Sequence, residues 1–474
     1  MSNIILNELE VLSRSASDVF TKLLGAAGKS SGDVGVTEIA LASAVGSIRS
    51  LLVTSAMRVC VASAGHDYSC PKCADHLCRW GTIERPIVTS SGEGTFPSER
   101  YRCRSCSKDY YPWQIGQGLD GGNEFTLSAR ERIAEEGADG AYDRASVRLS
   151  RMGIPVSGSE VDQITLEVAS WRKAEQEVVR DCACRLGKPL SIPLHKWDTW
   201  PDRLGAEDVL VFSVDGGMVR SNEVGSKGLD WFEVRSGLIG LVRKDRPFKK
   251  VCLGGLMSPD QLFENLRTQW LQSRLACNQK GDRSLRLLFV ADGAEWIWAR
   301  AGWYFPNCLQ ILDIYHGAAH VGAAARAAWG PDNAHAKRWS GGAMTWLLEP
   351  DGAKAIIRAL LTKLRCSNAI NPNDLQTEFR YLWRHRHRMN YHQWKEQGLT
   401  IGSGAIESCI KQTSTQRLNQ PGMMWTKKNA DLMMHVRSAL LSDSLTLTVN
   451  RERQIRANRA LQFSRTQPTL AKAV

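Results

Sequence analysis

The sequence predicts an α/β protein of several domains, and three observations support this prediction. Between residues 205 and 445, helical stretches alternate with short runs rich in β-branched residues, namely VLVFSV, FEVRSGLIGLV, LRLLFVA and LQILD. Residues 318–400 have helical periodicity almost throughout, which predicts an all-helical insertion within the sheet domain. The length of 474 residues accommodates roughly two to four domains.

The remaining segments differ in composition and are predicted to form separate regions. Residues 1–65 have helical periodicity in two pieces, separated by a Gly/Ser stretch. Residues 66–115 are rich in Cys, Gly, Ser and aromatic residues and have no long apolar run. The helical pattern returns over 125–200. Residues 446–474 are basic and poor in apolar residues, which predicts a mobile tail.

The charge balance favours a polyanionic partner. Lys and Arg number 61 and Asp and Glu number 49, a formal net charge of +12, which favours nucleic acid first and an anionic membrane second. The most apolar stretch, 39–64, is interrupted by Arg49 and Arg58, so we expect no membrane span. The acidic start MSNIILNELEVLSR is not typical of a signal peptide. The thirteen Cys do not resemble a disulfide scaffold, and we expect a reducing cytoplasm.

Two CxxC pairs predict a structural zinc site. The pairs are Cys70–Cys73 and Cys103–Cys106, and two facing knuckles of this kind give the tetrahedral set of four thiolates that Zn²⁺ prefers. Strand-like pieces lie between them, as a zinc ribbon requires. His76 and Cys78 lie close enough in sequence to replace a ligand. A chance pairing of reduced cysteines is the alternative, and the basic residues around the pairs suggest contact with phosphate.

A helix-turn-helix candidate follows the cysteine region. Ala145 and Leu149 have helical spacing, Gly153 supplies a turn, and Ser157 or Ser159 can cap a second helix that begins near Glu160. That helix would bury Val161, Ile164 and Val168. An ordinary αα-hairpin explains the pattern equally well, and the exposed positions of the second helix show little base-reading chemistry.

Three carboxylates predict a two-metal catalytic site. Asp215 ends the strand VLVFSVD, Asp292 ends LRLLFVAD, and Glu407 lies in GSGAIES at the start of a helix. Acids that end strands of an α/β sheet face the crevice where such sheets bind ligands, and three of them can hold two Mg²⁺ or Mn²⁺ ions for phosphodiester chemistry. Each Asp-Gly alone is more often a simple turn. Asp313, after the fifth strand, competes with Asp292, after the fourth. In a ribonuclease H-like sheet the second ligand follows the fourth strand, so we favour Asp292.

Four segments resemble a bacterial insertion-sequence transposase family with a DDE triad, related to the Mutator-like group: SVDGG, ADGAEWIW, ILDIYHGAAHV and GSGAIES…QRLNQPGMMW. The resemblance spans most of the chain, including CPKC…CRSC and the YYPW that follows, and is most specific in the last block. It implies a ribonuclease H-like domain at 205–445 with an insertion at 318–400. The sequence departs from the family at Arg235, because the family's W-x-E-x-K pattern has lysine at that position.

The resemblance also implies residue roles. Asp215, Asp292 and Glu407 would form the triad, while Asp313 and His316 would form a D-x-x-H element, with His316 donating a hydrogen bond near the scissile phosphate. The protein would cut one strand at each end of its element and join the released 3′-hydroxyl to target DNA.

A basic, aromatic block surrounds the third acid. We expect DNA contacts there from seven cations, although a solvated helix face with Trp in the core is the alternative: Arg384, Arg386, Arg388, Lys411, Arg417, Lys427 and Lys428.

Two other functions remain open: a structure-selective nuclease on the same fold, and a domesticated zinc-ribbon binder without catalysis. For the transposase, the partners would be double-stranded DNA, as terminal inverted repeats and target, and a second copy of the chain or a higher oligomer, without a membrane. Its location would be the bacterial cytoplasm, in association with the nucleoid.

Overall fold

The computed structural model describes residues 2–29, 33–187, 194, 208–225, 228–243, 246–276, 286–366, 368–402 and 404–464. The chain forms two compact units. The first comprises Met1–Trp171 and Leu445–Val474, and the second comprises Arg172–Ser444. The first unit is therefore built from two separate segments of the chain.

Two long helices begin the first unit, as the periodicity predicts. They are α1 (Ser2–Lys29) and α2 (Val34–Ser63), and they pack against each other. The Asp33 side chain caps α2 by accepting a hydrogen bond of 2.8 Å from the amide of Gly35. Among the described helices, α2 is long and apolar enough to cross a membrane by length and composition alone.

A three-stranded antiparallel sheet follows, in the order β1-β2-β3. Its strands are β1 (Leu77–Thr89), β2 (Gly92–Cys103) and β3 (Asp109–Tyr110). Ile87 and Phe96 of the sheet form a buried cluster with Val53 and Val61 of α2. The second half of α2 is therefore part of the core of this unit.

Four helices continue the chain: α3 (Pro112–Gln117), α4 (Leu127–Asp139), α5 (Tyr142–Arg151) and α6 (Gly158–Leu186). Gly153, with φ of 85°, makes the turn between α5 and α6. Ser157 and Glu160 form a reciprocal capping box at the start of α6, with hydrogen bonds of 3.2 and 2.8 Å. The two predicted helices and the buried stripe of Val161, Ile164 and Val168 are confirmed.

The segment that we predict to be a mobile tail is largely helical. Helix α17 (Leu445–Leu461) belongs to the first unit, and Val449 and Phe463 are buried there. Arg456 of α17 pairs with Glu452 at 2.7 Å and with Asp120 at 3.0 Å. The prediction fails because a few buried side chains and ion pairs hold this polar helix. Residues 465–474 lie outside the described part.

The second unit contains a five-stranded mixed sheet in the order β6-β5-β4-β7-β8. Only β5 runs against the other strands. The strands are β4 (Asp208–Gly225), β5 (Gly228–Arg243), β6 (Arg246–Gly255), β7 (Arg286–Ala291) and β8 (Leu309–Leu312). The predicted apolar runs correspond to β4, β5, β7 and β8, so the α/β class is confirmed.

Helices α7 (Pro259–Ala276) and α8 (Glu295–Tyr304) complete the sheet core. Phe263 of α7 stacks on Phe289 of β7, with ring centroids 5.5 Å apart, and Phe305 contacts both rings. Leu262 and Leu266 of α7 lie over Gly237 of β5. Helix α7 therefore covers the face of the sheet to which Gly237 points.

The described residues after β8 in the second unit are mostly helical, as predicted for 318–400. Its helices are α9 (Ile314–Trp329), α10 (Ala334–Leu347), α11 (Gly352–Arg365), α12 (Pro372–His385), α13 (Tyr391–Glu396), α14 (Gly404–Thr413), α15 (Thr415–Leu418) and α16 (Lys427–Leu441). A short 3₁₀ helix, Arg386–Arg388, follows α12.

Candidate functional site

Three aspartates lie at one level on adjacent parallel strands. Phe212 of β4 pairs with Phe289 of β7, and Asp215 and Asp292 each lie three residues further along. Ala291 pairs with Leu312 of β8, so Asp292 and Asp313 again occupy equivalent positions. Neighbouring strands are about 4.8 Å apart. The register thus brings the two competing aspartates and Asp215 to the same edge of the sheet.

The structure corrects the predicted position of Asp215. We expect Asp215 to end its strand, yet β4 continues to Gly225, with Asp215 opposite Ser236 of β5 and Gly216 opposite Arg235. The parallel pairing of β4 with β7 ends earlier, at Phe212. Asp215 therefore lies beyond the part of β4 that pairs with β7 but within the part that pairs with β5. Asp292 and Asp313 directly follow β7 and β8, as predicted.

Asp215 lies on the sheet face that α14 covers. Directly opposed residues share a face and successive residues alternate. Gly254 of β6 lies opposite Ser236, which lies opposite Asp215. A methyl group at Gly254 would lie 2.8 Å from Thr413 of α14. Asp215, Ser236 and Gly254 therefore point away from α7 and towards the side of α14.

Helix α14 carries Glu407, the predicted third acid. The side chain of Glu407 lies outside the described part of the chain, as do those of its neighbours Ala405 and Ile406. The end of α14 is fixed on the sheet, since a methyl group at Gly217 would lie 3.6 Å from Ser414 Oγ. The backbone of α14 thus contacts β4, β5 and β6 on the face shared with Asp215.

Each aspartate accepts a hydrogen bond from a nearby backbone amide. Asp215 Oδ1 accepts from the next amide at 2.8 Å, and Asp292 Oδ1 accepts from the amide of Ala294 at 3.0 Å; both carboxylates are half-buried. Asp313 is fully buried and caps α9, accepting from the amide of His316 at 2.9 Å. His316 Nδ1 lies 3.5 Å from the same carboxylate, and the imidazole is about half exposed. These bonds fix the orientation of all three carboxylates.

A glutamate that the sequence does not single out lies against Gly216, on the face of the sheet opposite to Asp215. A methyl group at Gly216 would lie 2.7 Å from Glu233 Oε1. Glu233 pairs with Arg235, which also donates to the carbonyl of Met257 at 2.5 Å and lies over the ring of Trp296. Arg235, at which the sequence departs from the family pattern, is thus held by three partners.

Side chains of the helical insertion cover the turn after Asp292. The Tyr381 ring of α12 packs directly against Gly293. Burial and the negative charge of Asp292 raise the pKa of Tyr381, and a hydrogen bond with the backbone of Gly293 opposes part of this shift. His320 of α9 stacks on the same ring at 3.5 Å and lies 2.6 Å from Glu378. The sequence gives no signal for His320, Glu378 or Tyr381. They lie up to 88 positions after Gly293, on the helices α9 and α12.

Gly293→Ala is expected to destabilise the second unit by about 1–3 kcal/mol, because a methyl group would overlap the Tyr381 ring. The matched control is Gly341→Ala in α10, where a methyl group meets no atom within 4 Å. The control is expected to be neutral or slightly stabilising. Urea unfolding followed by circular dichroism measures both; equal stability of the two variants would contradict the packing described.

The predicted DNA-contacting cations occupy different environments. Arg384 is exposed and pairs with Glu295, and Arg386 lies 4.3 Å from the centre of the Trp383 ring. Arg388 is half-buried, donates to Gln310 at 2.8 Å and stacks on Trp298. Burial and the charges of Arg388 and Arg384 lower the pKa of the buried His385 to about 4, so this imidazole is neutral at pH 7.

The other four predicted DNA-contacting cations lie on the helices α14, α15 and α16. Lys411, Lys427 and Lys428 are exposed, whereas Arg417 is buried and stacks on Trp425 at 5.0 Å. The structure therefore gives Arg417 a packing role within the segment that resembles the family most specifically. The three lysine side chains are on the surface.

The four predicted zinc ligands come together in the first unit. The Sγ atoms of Cys70, Cys73, Cys103 and Cys106 lie within 4.8 Å of one another and could hold a metal ion such as zinc. Each CxxC pair is followed by a residue with positive φ, Ala74 at 60° and Ser107 at 55°, which closes a tight turn. Neither His76 nor Cys78 belongs to this group of four residues. His76 Nδ1 lies 3.3 Å from the carboxylate of Asp67 instead.

The sulfur spacing fits a tetrahedral metal. Neighbouring sulfurs are 3.7 Å apart for Cys70 with Cys73 and with Cys106, and 3.8 Å for Cys73 with Cys103. Metal–sulfur bonds of about 2.3 Å in a tetrahedron give sulfur–sulfur edges of about 3.8 Å. Cys70 and Cys103 are buried with Leu77, Tyr101 and Phe463. The cysteine residues present thus fit a structural zinc ion.

A scan against protein-family models finds no match, and a search of curated proteins finds no significant relative.

Proposed function

We propose that the protein is a DNA transposase that cleaves the ends of its own insertion element and joins them to target DNA. The observation that carries the proposal is the placement of acids on the sheet. Asp215 and Asp292 lie level on adjacent parallel strands, and Asp215 faces the side covered by the helix that bears Glu407. This arrangement supports the triad that the family resemblance implies.

The sheet also supports a ribonuclease H-like catalytic domain. Its order, with β5 alone reversed, is compatible with that fold, and Asp292 follows β7, the fourth strand of the sheet along the chain. The helical block α9–α13 stands between the second and third acids, as expected for an insertion. Asp292 is therefore the stronger candidate for the second ligand.

The acids present suit divalent cations. Carboxylate oxygens are the ligands that Mg²⁺ or Mn²⁺ prefers; two such ions, held by Asp215, Asp292 and Glu407, would activate the attacking oxygen and stabilise the leaving oxygen. The backbone amides that bond Asp215 and Asp292 pre-orient their carboxylates. The exposed imidazole of His316 would donate a hydrogen bond to a phosphate oxygen.

The other predicted features serve DNA binding in this proposal. The cysteine cluster and its three-stranded sheet would be a zinc ribbon, α5 and α6 would be the helix-turn-helix candidate, and the exposed lysines near α14 would contact phosphates. The protein would act in the cytoplasm on the nucleoid, on double-stranded DNA, as a dimer or higher oligomer.

Strand transfer from a pre-cleaved end tests the proposal. The substrate is a labelled duplex of the sequence that flanks the coding region as a terminal inverted repeat, with a free 3′-hydroxyl, and the target is a supercoiled plasmid. With Mg²⁺ or Mn²⁺, the wild-type chain is expected to join the label to the plasmid, and Asp215→Asn is expected to abolish joining. Cleavage without joining would show a structure-selective nuclease instead of a transposase. DNA binding without cleavage or joining would show a domesticated zinc-ribbon binder.

A further inference from the structure

The helical hairpin formed by α1 and α2 exposes an unusual amount of apolar surface. Thirteen large apolar side chains among its described residues are between 36% and 73% exposed: Ile4, Ile5, Leu6, Leu9, Val11, Phe20, Leu24, Val34, Val36, Ile39, Leu41, Val45 and Leu52. A helix that is apolar around its whole circumference is normally covered on all sides. In α2 only Ala44, Val53 and Val61 are buried.

Part of this surface forms a regular stripe along α2. Val34, Leu41, Val45 and Leu52 are spaced by seven, four and seven residues, the spacing of alternating a and d positions in a coiled coil. Ile48 occupies the intervening position and is half-buried. Glu38 interrupts the stripe, as a single polar residue does where a coiled coil fixes its register.

Helix α1 carries a matching stripe on the same face of the hairpin. The seam between the helices is marked by the half-buried Leu12, Val19 and Leu23 of α1 and by the half-buried Ala40 and the buried Ala44 of α2. At 3.6 residues per turn, the exposed stripe of each helix lies roughly a quarter turn from this seam, in the same rotational sense. Because the hairpin helices are antiparallel, both stripes lie on one face; the α1 stripe consists of Leu6, Leu9, Phe20 and Leu24.

The chemistry of this face excludes DNA as its partner. Glu38 is the charged residue within the α2 stripe, and the α1 stripe has none. Phosphate contacts require cations or polar donors. An apolar partner is therefore required.

A membrane is also a poor partner for α2. The second half of the helix is built into the first unit, where Val53 and Val61 pack with Ile87 and Phe96. Thr54 Oγ1 accepts a hydrogen bond of 3.0 Å from the amide of Thr95, and Arg49 donates to the carbonyl of Met152 at 2.8 Å. Crossing a bilayer would break these contacts.

We infer that this face binds the same face of a second copy of the chain, so that two hairpins form an antiparallel four-helix bundle. A two-fold interface uses one self-complementary patch, and a stable interface takes roughly 800 Å² from each partner. The exposed fractions of the eight stripe side chains leave on the order of 800 Å² of apolar surface on this face, which matches that requirement. The inference depends on the hairpin alone and is independent of the catalytic proposal.

Sedimentation equilibrium of the full-length chain without DNA tests the inference. The wild type is expected to sediment at twice the chain mass at micromolar concentration. Leu41→Glu/Val45→Glu places two charges in the stripe at side chains that are already 48% and 46% exposed in one chain, so the helix is retained, as circular dichroism checks. This variant is expected to weaken dimerisation at least 100-fold.

The matched control is Ser43→Glu, an exposed position of α2 outside the stripe, which is expected to remain dimeric. A monomeric wild type, or equal weakening by the control, would overturn the inference. Flotation of the wild type, but not of the double variant, with phosphatidylglycerol–phosphatidylcholine vesicles would replace the second copy by a lipid surface.

Discussion

Asp292→Asn is expected to reduce strand transfer by roughly 1,000-fold or more, whereas Asp313→Asn is expected to retain activity within about tenfold. Asparagine keeps the size of the side chain but removes the negative charge that a metal ligand needs. Asp292 follows the fourth strand of the sheet and is half-buried at the edge that it shares with Asp215. Its charge is therefore available to a cation.

Asp313 is placed differently, although it lies at the same level. Its carboxylate is fully buried and caps α9 through the amide of His316. Asparagine caps helices about as well as aspartate, so Asp313→Asn preserves this bond, whereas Asp313→Ala removes it at a cost of about 1 kcal/mol. Comparing the two variants separates loss of the cap from loss of charge.

The measurement is the rate of joining from the pre-cleaved end, with thermal unfolding of each variant as the control for folding. Joining that survives Asp292→Asn but fails in Asp313→Asn would assign the second ligand to Asp313. Loss in Asp313→Ala alone would confirm that Asp313 acts through the helix cap.

Four of the five strands were predictable because apolar runs mark buried strands, and Asp292 and Asp313 follow directly from two of those runs, whereas β6 was not predicted from such a run. Asp215 shows the limit of this reasoning. The Gly216-Gly217 pair that follows it is typical of a turn, yet both glycines pair with β5, and Glu233 lies where a side chain at Gly216 would be. Gly216 provides room for this neighbour, and a single sequence does not distinguish this from a turn.

The side chains around Asp292 could not be predicted, because their proximity depends on how the insertion folds back. Tyr381 and His320 lie on two separate helices, and neither forms a local motif with Gly293. The same reason applies to α17: its sequence is polar, and its place in the first unit depends on Val449, Phe463 and distant partners. Local patterns predict elements, whereas long-range contacts decide which elements meet.

Cys103→Ser is expected to prevent metal binding by the four cysteines and to unfold the end of the three-stranded sheet next to them, while the cluster of Ile87 and Phe96 with α2 persists. The cluster around the cysteines contains only a few large side chains besides them, chiefly Leu77, Tyr101 and Phe463. So small a core would depend on a bound metal, whose binding contributes about 10–16 kcal/mol in small zinc domains. Zinc content of the purified chain and hydrogen exchange of β1–β3 measure the effect, and exchange is expected to increase also around Phe463, whose carbonyl accepts from the amide of Ser69 at 2.7 Å.

Cys78→Ser is the matched control, since Cys78 lies on β1 but outside the group of four sulfurs. It is expected to keep one zinc per chain and normal exchange. Because thiolates bind metal and thiols do not, the wild type is also expected to lose zinc as the pH falls. Full zinc content in Cys103→Ser, or equal loss in Cys78→Ser, would contradict the assignment. Exchange that increases without zinc loss would instead mean that Cys103 stabilises the sheet by packing alone, since its side chain is fully buried.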